Sequence, residues 1–324
     1  GLRISWIICL STLIFFEAKA QGVEEELEIF NDTIKISGTL VKPSSNGSFP
    51  LLIFIHGSGP EKRDNNIDFA RNLINHGYAS FIYDKRGVGK SGGKPSSVQY
   101  FSFQDLSDDV VAVVKQLSQR SDIKAGKIGL LATSQGGWVA PLAAAKSSLI
   151  NFMIIISGSV STVGEDNIFE RAARLKKEGF SPSDIEQANE MHKADIALSK
   201  NPDSLPLFKQ LWDTYKSAPW FKRVYVNESW LNPEMEYRKW YRTVVDFTSE
   251  TALEKINIPV LWLYGDPELD RLCPVTLSIQ RLKNLQNKGK KYEIHSFSKA
   301  DHGLNIGKQR ANYDDIFLQW LNKL

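Results

Sequence analysis

The segment Ala132-Thr133-Ser134-Gln135-Gly136-Gly137 sets a serine between an apolar run ending at Leu131 and a helical pattern over Gln135–Lys146. This is a nucleophile elbow of the G-x-S-x-G type, with Ala132 in the first glycine position. The chemistry it would serve is acyl transfer. A sharp turn exposes the Ser134 hydroxyl, small residues at 132 and 136 let neighbouring chains approach, and the helix N-terminus behind offers N–H groups and a dipole suited to negative charge. Ser before Gly is also ordinary turn chemistry; the strand–turn–helix setting favours the nucleophile.

Three further segments could complete that chemistry. His56-Gly57-Ser58-Gly59-Pro60 directly follows the apolar run Leu51–Ile55. An oxyanion needs two positioned donors; the backbone N–H groups of Gln135 and Ser58 are the candidates. Alone, the glycine segment would read as a plain turn. His302, in Ala300-Asp301-His302-Gly303, follows a late strand and is the candidate general base. Of the other histidines, His56 belongs to the glycine turn, His76 lies near a helix end, His192 in the central segment and His295 within a strand. The stretch Gly265 to Pro274 holds Asp266, Glu268 and Asp270. Asp270, nearest the following helix, is favoured to orient His302, with Asp266 and Glu268 as competitors. The order is serine, acid, histidine.

These residues need strands to deliver them. Glu24–Phe30 and Thr33–Val41 read as strands around a tight Asn31-Asp32 turn. Apolar runs at Leu51–Ile55, Tyr78–Tyr83, Lys127–Leu131 and Phe152–Ile156 then alternate with helical patterns at Ile67–Asn75, Phe103–Leu117 and Gln135–Lys146. The rhythm breaks from about Val160 to Glu254, where Ala172–Lys177, Ser183–Lys193 and Asp203–Tyr215 look helical. It resumes with Ile258–Tyr264, Val275–Asn287, Lys291–His295 and Tyr313–Leu324. Alternation predicts a mainly parallel central sheet flanked by helices, an α/β fold with right-handed crossovers. The break predicts a helical insertion. Trp212, Trp220, Trp230 and Trp240 lie in it; they either pack the insertion's own core or line an apolar pocket against the sheet.

Residues 1–20 read as a leader: Arg3, an apolar run from Ile4 to Phe16, and Ala18-Lys19-Ala20 as a small-x-small cleavage pattern. The run is shorter than the roughly 20 residues of a spanning helix. The expected organisation is a signal peptide over 1–20, a core over 21–158 and 256–324, and an insertion over 159–255. Export to a periplasm or beyond is expected, with no stable membrane anchor after cleavage. Losing Cys9 leaves Cys273 alone, so no internal disulfide is possible.

Composition narrows the classes. In 324 residues, 24% are charged and 42% hydrophobic, with a formal net charge of +3. These globular values argue against long disorder, and the near balance of charge gives no case for nucleic acid. Two cysteines and five histidines include no cluster at metal-ligand spacing. Gly89-Lys90-Ser91 resembles the end of a phosphate-binding loop, but its first glycine would fall at Asp84. A tight glycine loop with Arg86 in local hydrogen bonds is the better reading.

Taken together, His56-Gly57-Ser58-Gly59-Pro60, Tyr83-Asp84-Lys85-Arg86-Gly87-Val88-Gly89-Lys90-Ser91-Gly92, the elbow at Ser134, Gly265–Pro274 and Asp301-His302-Gly303 resemble the α/β-hydrolase fold superfamily. The pattern is similar to bacterial esterases of the thioester-hydrolase or serine-aminopeptidase-like branch. Two departures are Ala132 for the usual glycine and a longer acid loop. The resemblance implies a Ser–His–Asp hydrolase with a helical cap, acting on small esters through Ser134, His302 and Asp270 and needing neither metal nor organic cofactor. Short peptides are the alternative substrate, for which Glu165, Glu170, Glu228, Glu234 or Glu236 could hold an ammonium group. Acyl thioesters are a further alternative, and a binding protein without catalysis on the same fold is the reading from another class.

Overall fold

The structure, a computed structural model, describes residues 22–94 and 102–324. The leader expected over 1–20 lies outside the described residues. Eight strands form one sheet: β1 (Val23–Asn31), β2 (Ile34–Lys42), β3 (Phe49–Ile55), β4 (Ala79–Tyr83), β5 (Ile123–Thr133), β6 (Phe152–Ile156), β7 (Val260–Tyr264) and β8 (Tyr292–Ser296), in the order β1-β2-β4-β3-β5-β6-β7-β8. β1 and β2 form an antiparallel hairpin around Asp32, whose φ of +50° suits a tight turn. β2 pairs antiparallel with β4, and all other pairings are parallel.

Strand side chains alternate between two buried faces, as a sheet covered on both sides requires. Leu51, Ile53 and Ile55 join one apolar cluster; Leu52 and Phe54 join the other. The first face carries α2 (Phe103–Leu117), α3 (Gly136–Lys146), α8 (Glu250–Lys255) and α9 (Val275–Asn287). The second carries α1 (Ile67–Leu73) and α10 (Asp314–Asn322), through Ala70, Leu73, Phe317 and Trp320. This layering is the α/β-hydrolase architecture.

Between β6 and β7 lie α4 (Val163–Lys177), α5 (Pro182–Lys200), α6 (Leu205–Tyr215) and α7 (Glu236–Val244), followed by α8. α4 begins earlier than the apolar spacing suggested because Thr162 and Glu165 form a reciprocal capping box; Ser181 and Asp184 do the same ahead of Pro182 in α5. α4, α5, α6 and the turns after α6 have their own core of Leu175, Met191, Leu198, Phe208, Trp212, Trp220 and Tyr225, with Trp230 packed against it. Trp240 instead packs against the core of the sheet domain. α8 also packs there, through Leu253, beside α3 and α9. A short hairpin, β9 (Asn305–Ile306) and β10 (Gln309–Arg310), precedes α10. Among the described residues no helix is long and apolar enough to cross a membrane.

Candidate active site

The chain runs from β3 to its neighbour β4, then returns past β3 to pair β5 on its other side. Strand order reverses there, and the crevice beyond the carboxyl ends of β3 and β5 is where such sheets place ligands. The Ser58 turn follows β3 and Ser134 follows β5.

Ser134 has a φ of +50°, an uncommon conformation for a residue with a side chain. Close packing holds it there. A Cβ on Gly136 would stand 2.9 Å from Ile55 O, 3.0 Å from His56 O and 3.2 Å from Ala132 Cβ. A Cβ on Gly137 would stand 2.5 Å from Gly158 Cα. Strand, elbow and helix therefore meet at distances that only small residues allow. Ser134 N–H donates to Ile156 O at the end of β6, at 2.9 Å.

His302 Nε2 lies 3.0 Å from Ser134 Oγ, although 168 positions separate the two residues. Its Nδ1 lies 3.0 Å from both carboxylate oxygens of Asp270. Asp270 is 1% exposed, and its Oδ1 also accepts the N–H groups of Leu272 and Cys273, each at 2.9 Å. Of the three carboxylates in that loop, Asp270 alone reaches His302. Asp266 accepts from Glu268 N–H and Lys299 N–H, which ties the loop to the turn before His302, and Glu268 is exposed. The histidine loop is braced from behind: Ser157 Oγ donates to His302 O at 2.6 Å, and Tyr264 OH donates to Gly158 O at 2.7 Å.

Among the described residues no other histidine bonds Ser134 or Asp270. His56 Nε2 donates to Tyr83 O at 2.6 Å, and burial pushes its pKa down to about 4. His192 is buried in the insertion, and His295 pairs with Glu293 at 2.8 Å.

Ser58 and Gln135 line the same cavity as Ser134, a space of about 400 Å³ closed by Trp138, Val163, Asp166, Asn167, Glu170, Arg171, Tyr237, Trp240 and Leu272. Among the described residues, neither the Ser58 nor the Gln135 N–H donates to a protein acceptor. Behind them Lys85 is buried, its ammonium donating to Gly57 O and Gln135 Oε1, both at 2.8 Å. One cation thus joins the turn after β3 to the residue after Ser134. Burial lowers the Lys85 pKa to about 8, partly offset by the nearby Glu61 carboxylate.

Sequence reasoning gives Lys85 no role, although its position just past β4 is an available signal. It also missed Asp166, Arg171 and Tyr237, because α4 and α7 carry no motif. Asp166 is buried and accepts from Ser159 Oγ, and desolvation raises its pKa to about 7. Of the carboxylates singled out in the insertion, Glu170 lines the cavity, while Glu165 is spent on Arg281, at 2.8 Å, and on the cap of α4. Glu228, Glu234 and Glu236 are not among the lining residues. The tryptophans divide: Trp240 lines the cavity, and Trp212 and Trp220 fill the insertion's core. Arg86 pairs with Asp109 at 2.6 Å, and a Cβ on Gly89 would stand 2.5 Å from Asp84 Oδ2, so the loop resembling a phosphate site is filled by its own side chains. No group of three or more potential metal-ligating side chains occurs among the described residues.

Comparison with known proteins agrees with this architecture. The quorum-quenching protein AidA of Acinetobacter baumannii is 25% identical over 112 residues, 35% of this chain and 36% of AidA. Esterase EstD of Thermotoga maritima is 27% identical over 128 residues, 37% of this chain and 30% of EstD. The chain thus matches about a third of the length of these relatives. Among solved structures, the Pyrococcus furiosus esterase PF2001 superimposes with a TM-score of 0.58 at 17% identity, covering 94% of this chain and 91% of that one. Alpha/beta hydrolase GrgF from Penicillium superimposes with a TM-score of 0.60 at 17% identity, covering 93% and 97%. Residues 49–306, from β3 to just past His302, match the family described as serine aminopeptidase, S33, and the chain belongs to that family of α/β-hydrolases.

Proposed function

We propose that this protein is a serine hydrolase that cleaves carboxylic esters of small substrates through an acyl-enzyme. Ser134 Oγ attacks the carbonyl carbon while His302 Nε2 takes its proton, and Asp270 holds the imidazole and stabilises its charged form. The N–H groups of Ser58 and Gln135 bind the oxyanion, and Lys85 keeps their two loops in register. His302 then protonates the leaving alcohol, and water, activated by the same histidine, releases the acid. The observation that carries this reading is the unbroken run of 3.0 Å contacts from Asp270 through His302 to a serine at positive φ.

Cleavage of short peptides is the second reading, favoured by Glu170 and Asp166 on the cavity wall. The leader pattern over 1–20 supports export of the mature protein.

Ser134→Ala tests the assignment. The folded variant is expected to lose more than about 1,000-fold in kcat on a short p-nitrophenyl ester. It should also lose labelling by a fluorophosphonate probe that modifies the wild type. A folded variant that keeps most of its activity removes Ser134 as nucleophile. Equal concentrations of an ester and an aminoacyl amide separate the two substrate classes.

A further inference from the structure

Arg171 differs from every other residue around the cavity above Ser134. It lies on α4 and lines that cavity with its side chain 20% exposed. A guanidinium carries five N–H donors in a rigid fork. Among the described residues those of Arg171 make no hydrogen bond, and its one ionic contact is Asp195 Oδ2 at 3.6 Å. Asp195 is already engaged: its Oδ1 receives Nη1 of the fully buried Arg238 at 2.5 Å. Two guanidiniums therefore share one carboxylate.

Nothing nearby fills the remaining donors. His192 is buried with neither ring nitrogen partnered, and burial together with the charges of Arg171 and Arg174 keeps it neutral. Asp166 is bonded to Ser159 and titrates near 7, and Glu170 is exposed on the wall. A mostly buried guanidinium with unfilled donors is costly unless an acceptor arrives, and the cavity it lines is also lined by Ser134. A planar fork is matched best by a carboxylate. Trp138, Tyr237 and Trp240, which line the same cavity, suit an apolar span.

Resting on the serine-hydrolase reading, we infer that Arg171 receives a substrate carboxylate, so that the preferred substrates are esters carrying an anionic carboxylate several bonds from the scissile carbonyl.

The test is a matched series of p-nitrophenyl esters whose acyl chains end in a carboxylate, in its methyl ester or in an ammonium group. The wild type is expected to favour the carboxylate by roughly 10- to 100-fold in kcat/KM, mainly through KM. That ratio should fall to near one in Arg171→Met and be partly restored in Arg171→Lys. A wild type that prefers the methyl ester or the ammonium compound overturns the inference, as does a preference that survives in Arg171→Met. Should Arg171→Met fail to fold, inhibition of the wild type by glutarate against glutaramide decides. Competitive inhibition by the dicarboxylate alone supports the site; equal potency, or no inhibition by either, overturns it. A wild type inactive on every ester would sink the hydrolase reading itself, whereas turnover without carboxylate preference sinks only this inference.

Discussion

Replacing Asp270 by Asn should abolish most activity while leaving the fold intact. Oδ1 of Asp270 accepts from Leu272 and Cys273 N–H, each at 2.9 Å, and both carboxylate oxygens lie 3.0 Å from His302 Nδ1, so an NH2 group in place of Oδ2 would meet that nitrogen. An asparagine must keep its oxygen toward the two backbone donors, because the reverse flip would oppose donor to donor. Its NH2 group then sits where Oδ2 was and needs an acceptor. His302 can supply one only by holding Nδ1 unprotonated, which moves the ring proton to Nε2. That nitrogen lies 3.0 Å from Ser134 Oγ and would now donate to the hydroxyl instead of accepting its proton. The general base is lost through a tautomer change with almost no movement of atoms. Loss of this kind is worth about 10⁴-fold in kcat, or roughly 5.4 kcal/mol of barrier. KM for a p-nitrophenyl ester should change little. The assay is burst-phase release of p-nitrophenol near pH 8, with thermal unfolding run in parallel. A variant that unfolds as the wild type does and keeps kcat within tenfold would refute the reasoning and return the role of acid to another carboxylate.

Two further outcomes follow from buried charges. Lys85→Met removes the bonds to Gly57 O and Gln135 Oε1, so kcat should fall by roughly 10- to 100-fold with a smaller change in KM, below the cost of deleting an oxyanion donor outright; an unchanged kcat would show that the two loops hold themselves. Asp166→Asn should stabilise the protein at neutral and alkaline pH. Its folded pKa, about 7, is raised from 3.8, so the native carboxyl is destabilising once ionised in the unfolded chain. The penalty is absent below about pH 4, grows as pH rises toward 7 and then levels at up to about 4 kcal/mol. Urea unfolding of both proteins at pH 4.5 and pH 8 measures it, and an equal difference at the two pH values contradicts the assignment.

What could be read from the sequence was whatever local chemistry or periodicity encodes. The elbow at Ser134 is legible because its turn needs small residues at fixed offsets, and the strands because both faces are buried. Asp270 was separable from Asp266 and Glu268 only by weak positional argument, since the choice depends on which carboxylate the loop turns inward. Arg171 and Asp166 were not legible at all. Their importance comes from where α4 sets them, on the wall of the cavity that holds Ser134, and helix packing of that kind leaves no short pattern. The start of α4 at Val163 was readable in principle, through the Thr162–Glu165 capping box, but weak apolar spacing there concealed it.

The end of β6 has a further consequence. Ile156 holds the N–H of Ser134, Ser157 holds the carbonyl of His302, and Gly158 takes the hydroxyl of Tyr264 while pressing on Gly137. Segments far apart along the chain are therefore surveyed from one three-residue benchmark, so small placement errors do not accumulate from strand to strand. The insertion departs immediately beyond that benchmark. Its helices thus join the sheet just past the contacts that place Ser134 and His302 rather than through them.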